Sequence, residues 1–175
     1  MKNVTREPPT TLQRFGILIY SIFEFPNLYL ARPQAMNSNQ GAFVGAIVRV
    51  FLVDDSILIR QRLVRMLSSV KGVQVVGEAL EARDAATSIL QVKPDIVILD
   101  IQLLGGTGMG VLQSIKKTKP SPVVIMVTNF PEFRTRYLDA GADFFFDKST
   151  EFHRIPLVVA TLIKQHARRA SQISR

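Results

Sequence analysis

The chain of 175 residues contains no cysteine. Without thiols it can form no disulfide and can offer no thiolate to a metal. Disulfide-stapled secreted domains and cysteine-based metal sites are therefore excluded. The absence suits a reducing cytosol, and we expect a cytoplasmic protein.

The chain also lacks a long, clean apolar run. Its longest apolar stretch, residues 15–30, contains Glu24 and Pro26 and is shorter than the roughly 20 apolar residues of a spanning helix. It shows neither the basic opening nor the small-residue cleavage site of a signal peptide. With 47% apolar and 21% charged residues, the composition predicts a soluble globular domain with a core.

The net charge of +8 is concentrated near the C-terminus, where residues 148–175 carry six basic and one acidic side chain. Basic residues at the C-terminus of a helix complement its dipole and face solvent. No groove-fitting element with polar base-reading side chains accompanies them. We therefore expect no direct DNA binding, and an acidic partner surface is the alternative.

From Val48 the chain alternates short apolar runs with amphipathic stretches. Predicted strands cover residues 48–53, 73–76, 95–99, 123–127 and 143–146, and predicted helices cover 57–71, 81–92, 109–118, 132–140 and 151–170. Continuous apolar strands are typical of a parallel sheet covered by helices on both faces, an α/β fold. Such sheets carry their chemistry where the strands end.

Charged and hydroxyl side chains follow four of these strands. They are Asp54 and Asp55, Asp100, Thr128 and Lys148. Three carboxylates at one sheet edge repel one another and need a cation, and oxygen ligands without histidine or cysteine suit magnesium. Lys148 adds a positive charge and Thr128 a hydroxyl donor. Together they predict a phosphoryl pocket in which one carboxylate is free to act as the nucleophile.

Each of these residues also has a simpler interpretation when taken alone. An acid after a strand is often a helix cap, and a lone lysine is usually a surface residue. The glycine-rich loop, residues 105–110, has neither the Gly-Lys-Ser/Thr ending of a P-loop nor the dinucleotide-binding spacing. It is the convergence of the whole set on one edge that favours the phosphoryl pocket.

Four segments, VFLVDDS, DIVILDIQLLGGTG, VIMVTN and FFFDKS, resemble in order and spacing the motifs of the response-regulator receiver domain of two-component signalling. The resemblance covers residues 48–162. It implies a flavodoxin-like, doubly wound five-stranded parallel sheet with strand order 2-1-3-4-5 and helices on both faces. We expect a receiver domain over residues 48–170 and a short tail over 171–175.

The resemblance also implies roles for individual residues. Asp100 would take a phosphoryl group from a phosphohistidine on a sensor histidine kinase or a phosphotransfer protein. Asp55, Asp100 and the backbone carbonyl of Gln102 would ligate Mg²⁺, and Asp54 would act mainly through water. Lys148 would contact the phosphoryl oxygens.

A switch follows from the same resemblance. Thr128 would move toward the phosphoryl group and an aromatic ring of the last strand would turn inward with it. The match places that ring at Phe145, and strand alternation sends it to the face opposite Phe144 and Phe146. The surface around residues 129–165 would then change, and with it the binding of a downstream protein target. The chain would act as a signalling receiver, not as an enzyme on other substrates.

Three positions near the site depart from the family pattern. Leu104 stands where proline is usual, so we expect a looser loop after Asp100. Asn129 stands where a small residue is typical, which would narrow access to the phosphoryl group. Ser149 replaces a proline after Lys148, and we expect a trans bond there because a cis bond without proline costs about 2.5–4 kcal/mol.

Residues 1–47 have no counterpart in the family and are expected to be disordered or loosely docked. A membrane-surface or partner-binding anchor within residues 15–29 is the alternative, and translation from Met36 is a further hypothesis. We expect no output domain after the last helix, so output would run through protein contact.

Two rival functions stay open. One is a pseudo-receiver that binds partners and never takes phosphate. The other is a magnesium-dependent phosphatase that uses Asp100 as its nucleophile. Such enzymes usually carry a second acid at the position that Gln102 occupies here.

Overall fold

The computed structural model describes residues 47–173, with side chains described through residue 167. The predicted N-terminal extension, except Ile47, lies outside the described residues, so its predicted disorder or docking stays a prediction. No helix in the described part of the chain has the length and apolar content to cross a membrane.

Five parallel strands and five helices form the body of the domain. The strands of the main sheet are β1 (Val48–Val53), β2 (Val73–Ala79), β3 (Ile96–Leu99), β6 (Val123–Thr128) and β7 (Phe144–Asp147). A small antiparallel hairpin consists of β4 (Gln102–Leu103) and β5 (Gly106–Thr107). The helices are α1 (Ile57–Ser68), α2 (Ala82–Val92), α3 (Gly108–Lys116), α4 (Arg134–Asp139) and α5 (Ile155–Ile173).

The strand order of the main sheet is β2-β1-β3-β6-β7. Counted along the main sheet alone this is 2-1-3-4-5, so the predicted flavodoxin-like fold and strand order are confirmed. The order reverses at β1, and the carboxyl ends of β1 and β3 lie side by side there. In open α/β sheets, ligands bind outside the carboxyl ends of the strands where the strand order reverses.

The apolar strands are covered on both faces, as their sequence predicts. One core, which includes Phe51, Leu99 and Phe145, lies on the side of α2, α3 and α4. The other, which includes Leu52 and Phe146, lies on the side of α1 and α5. Side chains alternate between the two cores along each strand, so Phe145 and Phe146 face opposite ways as predicted.

Helix ends follow local chemistry. Ser56 caps α1, because its hydroxyl oxygen accepts a hydrogen bond from the Ile59 amide at 3.5 Å. Gly141 follows α4 with φ of +103°, a conformation that favours glycine. In α2, Leu90 lies on the solvent side, with an exposed fraction of 45%. Ala85, Ser88 and Ile89 are the buried residues, because the core-facing stripe repeats every three or four residues.

The second strand is longer than the predicted 73–76. β2 continues to Ala79 and passes through a register shift opposite Val50 and Phe51. A Cβ atom at Gly77 would lie 2.4 Å from the Phe51 ring. The glycine makes room for that ring within the sheet and does not terminate the strand.

Candidate functional site

The sheet brings three acids together at one edge. Asp54 follows β1 and Asp100 follows β3, and these two strands pair in register up to Val53 and Leu99. Carboxylate oxygens of Asp54, Asp55 and Asp100 all lie within 4.8 Å of one another. Asp54 and Asp100 are buried and Asp55 is exposed, so the cluster is open to solvent on the Asp55 side.

Lys148 supplies the cation that the two buried acids need. Its Nζ lies 2.7 Å from Oδ2 of Asp54 and 2.6 Å from Oδ2 of Asp100. Its backbone amide donates to the Thr128 carbonyl at 2.8 Å, which ties the end of β7 to the end of β6. Because β6 and β7 are neighbours, this hydrogen bond positions the Lys148 backbone at the edge of the sheet. The long side chain then reaches from there to the two acids.

The electrostatics of this group follow from burial and pairing. Burial raises the pKa of Asp54, with a further contribution from the Asp100 charge, although Lys148 opposes both effects. Burial by itself would lower the pKa of Lys148, but its hydrogen bonds to Asp100 and Asp54, and their charges, raise it overall. Lys148 is therefore a fixed positive charge at neutral pH.

Asp100 is held from several directions. Its Oδ1 accepts a hydrogen bond from the Ile101 amide at 2.6 Å, and its own amide donates to the Val53 carbonyl at 2.9 Å. A Cβ atom at Gly108 would lie 2.1 Å from the Asp100 carbonyl oxygen. The glycine that opens α3 thus lets this helix approach the backbone of Asp100 directly.

The β4–β5 hairpin presents the Gln102 carbonyl. Gln102 pairs with Thr107, next to a hydrogen bond from the Gly108 amide to the Ile101 carbonyl. Antiparallel pairs alternate between hydrogen-bonded and non-hydrogen-bonded positions. The Gln102 carbonyl therefore points away from its partner strand, which leaves it available as a ligand.

The loop after Asp100 has two backbone hydrogen bonds at Leu104, the position where the family usually has proline. The Leu104 amide donates to the Leu80 carbonyl at 3.3 Å, and its carbonyl accepts from the Ala82 amide at 3.0 Å. Proline has no N–H and could not make the first bond. Leu104 therefore ties this loop to the segment that enters α2, and the expected loosening stays a prediction.

The other two departures lie on exposed parts of the site. Asn129 is exposed beside the end of β6. The Lys148–Ser149 bond is trans, as predicted. The Ser149 amide donates to a carboxylate oxygen of Asp147 at 2.8 Å. This turn, closed by the Asp147 side chain, stands where the family usually has proline.

Thr128 is fully buried, and its hydroxyl has no hydrogen-bond partner within residues 47–173. Buried polar groups without a partner are uncommon, and this one lies at the strand end beside Lys148. Among residues 47–173, Thr128 therefore has a buried hydroxyl donor that no protein group uses.

Phe145 lies in the core under α4. Its ring is 6.5 Å from that of Tyr137, and the Arg134 guanidinium carbon lies 4.9 Å from its centroid. Arg134 also donates to the Phe145 carbonyl at 2.7 Å and forms an ion pair with Glu151. The ring and the start of α4 are thus coupled through one arginine.

Sequence reasoning did not find Arg134 or Arg60. Arg60 is buried, donates to the Asp54 carbonyl at 2.6 Å and forms an ion pair with Glu78 at 3.0 Å. A signal for Arg60 was present, because it precedes Leu63 by three residues and Leu67 by seven, on the apolar stripe of α1. A charge on such a stripe indicates a buried partner. His153 and His166 are exposed on the surface.

The oxygen atoms of the site fit a small divalent cation. Magnesium prefers one or two carboxylates, carbonyl oxygens, water and phosphate oxygens. The three clustered carboxylates supply oxygen ligands of this kind without nitrogen or sulfur ligands.

A family model of the response regulator receiver domain matches residues 50–160. The chain belongs to this family. The parallel sheet of this fold explains why the acids, the threonine and the lysine share one edge, because they lie at the carboxyl ends of β1, β3, β6 and β7.

Curated relatives and solved structures agree with this assignment. The sensory transduction protein LytT of Bacillus cereus is 33% identical over 127 residues, which cover 73% of this chain and 50% of LytT. The response regulator GacA of Pseudomonas viridiflava is 36% identical over 98 residues, which cover 55% of this chain and 46% of GacA. The chain thus spans about half the length of these relatives.

Among solved structures, the receiver domain of the putative response regulator NarL from Mycobacterium tuberculosis aligns with a TM-score of 0.61 and 30% identity, over 68% of this chain and 98% of that one. The response regulator domain of Thermotoga maritima CheB aligns with a TM-score of 0.60 and 29% identity, over 70% and 97%.

Proposed function

We propose that this receiver is a phosphorylation switch in which Asp100 accepts a phosphoryl group from a phosphohistidine. The donor would be a sensor histidine kinase or a phosphotransfer protein. The observation that carries the proposal is the position of Lys148, whose ammonium bridges Asp100 and Asp54 at 2.6 and 2.7 Å. A fixed cation at a buried carboxylate supports transfer of an anionic group to that carboxylate.

In the transfer, an Asp100 carboxylate oxygen forms a bond to phosphorus, and the bond between phosphorus and the histidine nitrogen breaks. The nitrogen keeps the electron pair of the broken bond. The Lys148 ammonium would then contact the phosphoryl oxygens, and its ion pair with Asp54 would hold the lysine at the site. Mg²⁺, held by Asp55, Asp100 and the Gln102 carbonyl with Asp54 acting through water, would shield the charge of the incoming group.

The switch would begin at Thr128. Its unpartnered hydroxyl would donate to a phosphoryl oxygen, and the movement would reach Phe145 and Arg134 at the start of α4. A local change in charge would thereby bias the face formed by α4, β7 and α5. We propose that a downstream protein reads this face, in the cytoplasm and without direct DNA binding by the receiver.

A turnover assay separates this function from a phosphatase. Purified protein with Mg²⁺ is given an alkyl phosphate ester, glycerol 2-phosphate, whose alcohol needs a proton to leave, and the released phosphate is counted per protein molecule, with Asp100→Asn as the control. We expect no sustained turnover, because Gln102 has no carboxyl group with which to protonate a leaving alcohol. Many turnovers that disappear in Asp100→Asn would contradict the proposal and favour the phosphatase.

A further inference from the structure

Arg60 is a buried cation beside the acid cluster, and the proposed phosphotransfer leaves it without a role. Its side chain is 9% exposed, and it lies in the first turn of α1. Its Nη1 donates to the Asp54 backbone carbonyl at 2.6 Å, and its Nε donates to Oε2 of Glu78 at 3.0 Å. The guanidinium therefore holds the backbone of the acid pair, and within residues 47–173 its ion pair is with Glu78.

The carbonyl that Arg60 holds belongs to the peptide that joins Asp54 to Asp55. That peptide is planar, so a hydrogen bond to its oxygen orients the whole unit, which includes the Cα atom of Asp55. On the other side, the Asp54 amide donates to the Ala79 carbonyl of β2 at 3.1 Å. Arg60 and β2 together fix the backbone on both sides of Asp54.

The two acids depend on this backbone to different degrees. The Asp54 carboxylate has its own contacts, with Lys148 at 2.7 Å and with the Ser56 amide at 2.9 Å. The exposed Asp55 carboxylate has no hydrogen bond or ion pair in the part of the chain that the structure describes. No side-chain contact places this carboxylate, so its position relative to the site depends on the Asp55 Cα atom, which belongs to the peptide that Arg60 holds.

We propose that Arg60 is a positioning residue for the divalent-cation site. Through the Asp54 carbonyl it aims the Asp55 carboxylate at the site, and Glu78 holds the guanidinium in place. This inference rests on the proposed function, since it assigns Asp55 to the cation.

A positioning role for Arg60 and a purely electrostatic effect predict opposite changes in cation affinity when Arg60 is replaced. Loss of a positive charge near a cation site would strengthen cation binding if charge alone mattered. Loss of a positioning contact should weaken it, since partners that orient metal ligands typically contribute about 10–100-fold in affinity. The sign of the change in affinity therefore distinguishes the two.

The test is calorimetric titration of Mg²⁺ into the full chain, with folding of each variant checked by circular dichroism. For Arg60→Met we expect the Kd for Mg²⁺ to rise about tenfold. The matched control is Arg62→Met on the same helix, which removes the same charge from a guanidinium that lies 4.5 Å from the Phe152 ring centroid. Its Kd should stay at the wild-type value.

Arg60→Lys is the second test variant and replaces Arg60→Met if that variant does not fold. It keeps the charge but loses the planar fork that reaches two acceptors at once, so we expect a rise in Kd of a few-fold, where charge alone predicts none. If wild type binds Mg²⁺ and the Arg60 variants bind it as tightly or more tightly, the inference is overturned by itself. If wild type binds no Mg²⁺, the cation site of the proposed function fails and the inference fails with it.

Discussion

The Nζ of Lys148 lies 2.6 Å from Oδ2 of Asp100, although 48 residues separate the two in the sequence. The same ammonium lies 2.7 Å from Asp54. One lysine thus pairs with two buried carboxylates, and this arrangement makes both the stability and the chemistry of the site depend on it.

Replacing Lys148 by Met should destabilise the fold. Removal of one partner from a buried ion pair leaves uncompensated charge and costs about 3–5 kcal/mol, and urea unfolding would measure the loss. The control is Lys116→Met, whose ion pair with Asp143 is more exposed and should contribute less than about 1 kcal/mol. Equal losses in the two variants would contradict a special role for Lys148.

Replacing Thr128 by Val should leave the free energy of unfolding unchanged or raise it by about 1 kcal/mol. The hydroxyl is buried without a partner in the described residues, and such a group carries a desolvation penalty. The control is Thr118→Val, because the Thr118 hydroxyl donates to the Ile115 carbonyl at 2.6 Å and its loss should cost about 1 kcal/mol. A clear loss of stability in Thr128→Val would show that the hydroxyl has a partner.

Two glycines of α3 should respond oppositely to alanine. At Gly108 the new Cβ would lie 2.1 Å from the Asp100 carbonyl oxygen, so backbone must move, with a loss of about 1–3 kcal/mol. At Gly110 nothing lies within 4 Å of the new Cβ, and the change should add about 0.5–1 kcal/mol. Thermal unfolding of both variants checks the pair, and a stable Gly108→Ala would contradict the close approach of α3 to Asp100.

Glu151 should make stability depend on acid pH. A hydrogen bond from the Asp147 amide, followed by the pairing with Arg134, lowers the pKa of Glu151 below its usual 4.5. The folded state then binds the proton less tightly than the unfolded state does. The stabilisation is complete above the usual pKa and is lost as the pH falls through the lowered value.

Urea unfolding of wild type and Glu151→Gln between pH 7 and pH 3 measures this contribution. The difference between them should be constant near neutral pH and should shrink as Glu151 becomes protonated. Glu132→Gln, on an exposed residue, is the control. A difference that does not change with pH would show that the Glu151 charge contributes nothing to folding.

The sheet and the acid site could be predicted because both follow from local patterns. Runs such as Ile96–Leu99 are apolar throughout, which indicates a strand buried on both faces. The carboxyl ends of parallel strands share one edge, so residues after different strands, such as Asp54 and Asp100, must meet there.

Features that depend on distant packing could not be predicted in the same way. Gly77 has the sequence signature of a strand end, but the Phe51 ring on the neighbouring strand is what requires it. The hydrogen bonds of Leu104 to Leu80 and Ala82 involve backbone groups that carry no residue signature. The pairing of Arg60 with Glu78 joins a helix to a strand 18 residues away.

The central claim, that Asp100 accepts a phosphoryl group, is tested most directly by intact-mass analysis after incubation with Mg²⁺ and a small phosphodonor. Wild type is compared with Asp100→Ala and with Asp139→Asn, an exposed α4 carboxylate as control. The account predicts one alkali-labile phosphoryl group on wild type and on Asp139→Asn, and none on Asp100→Ala. Wild type without an adduct from any donor, or an adduct that persists in Asp100→Ala, would contradict it.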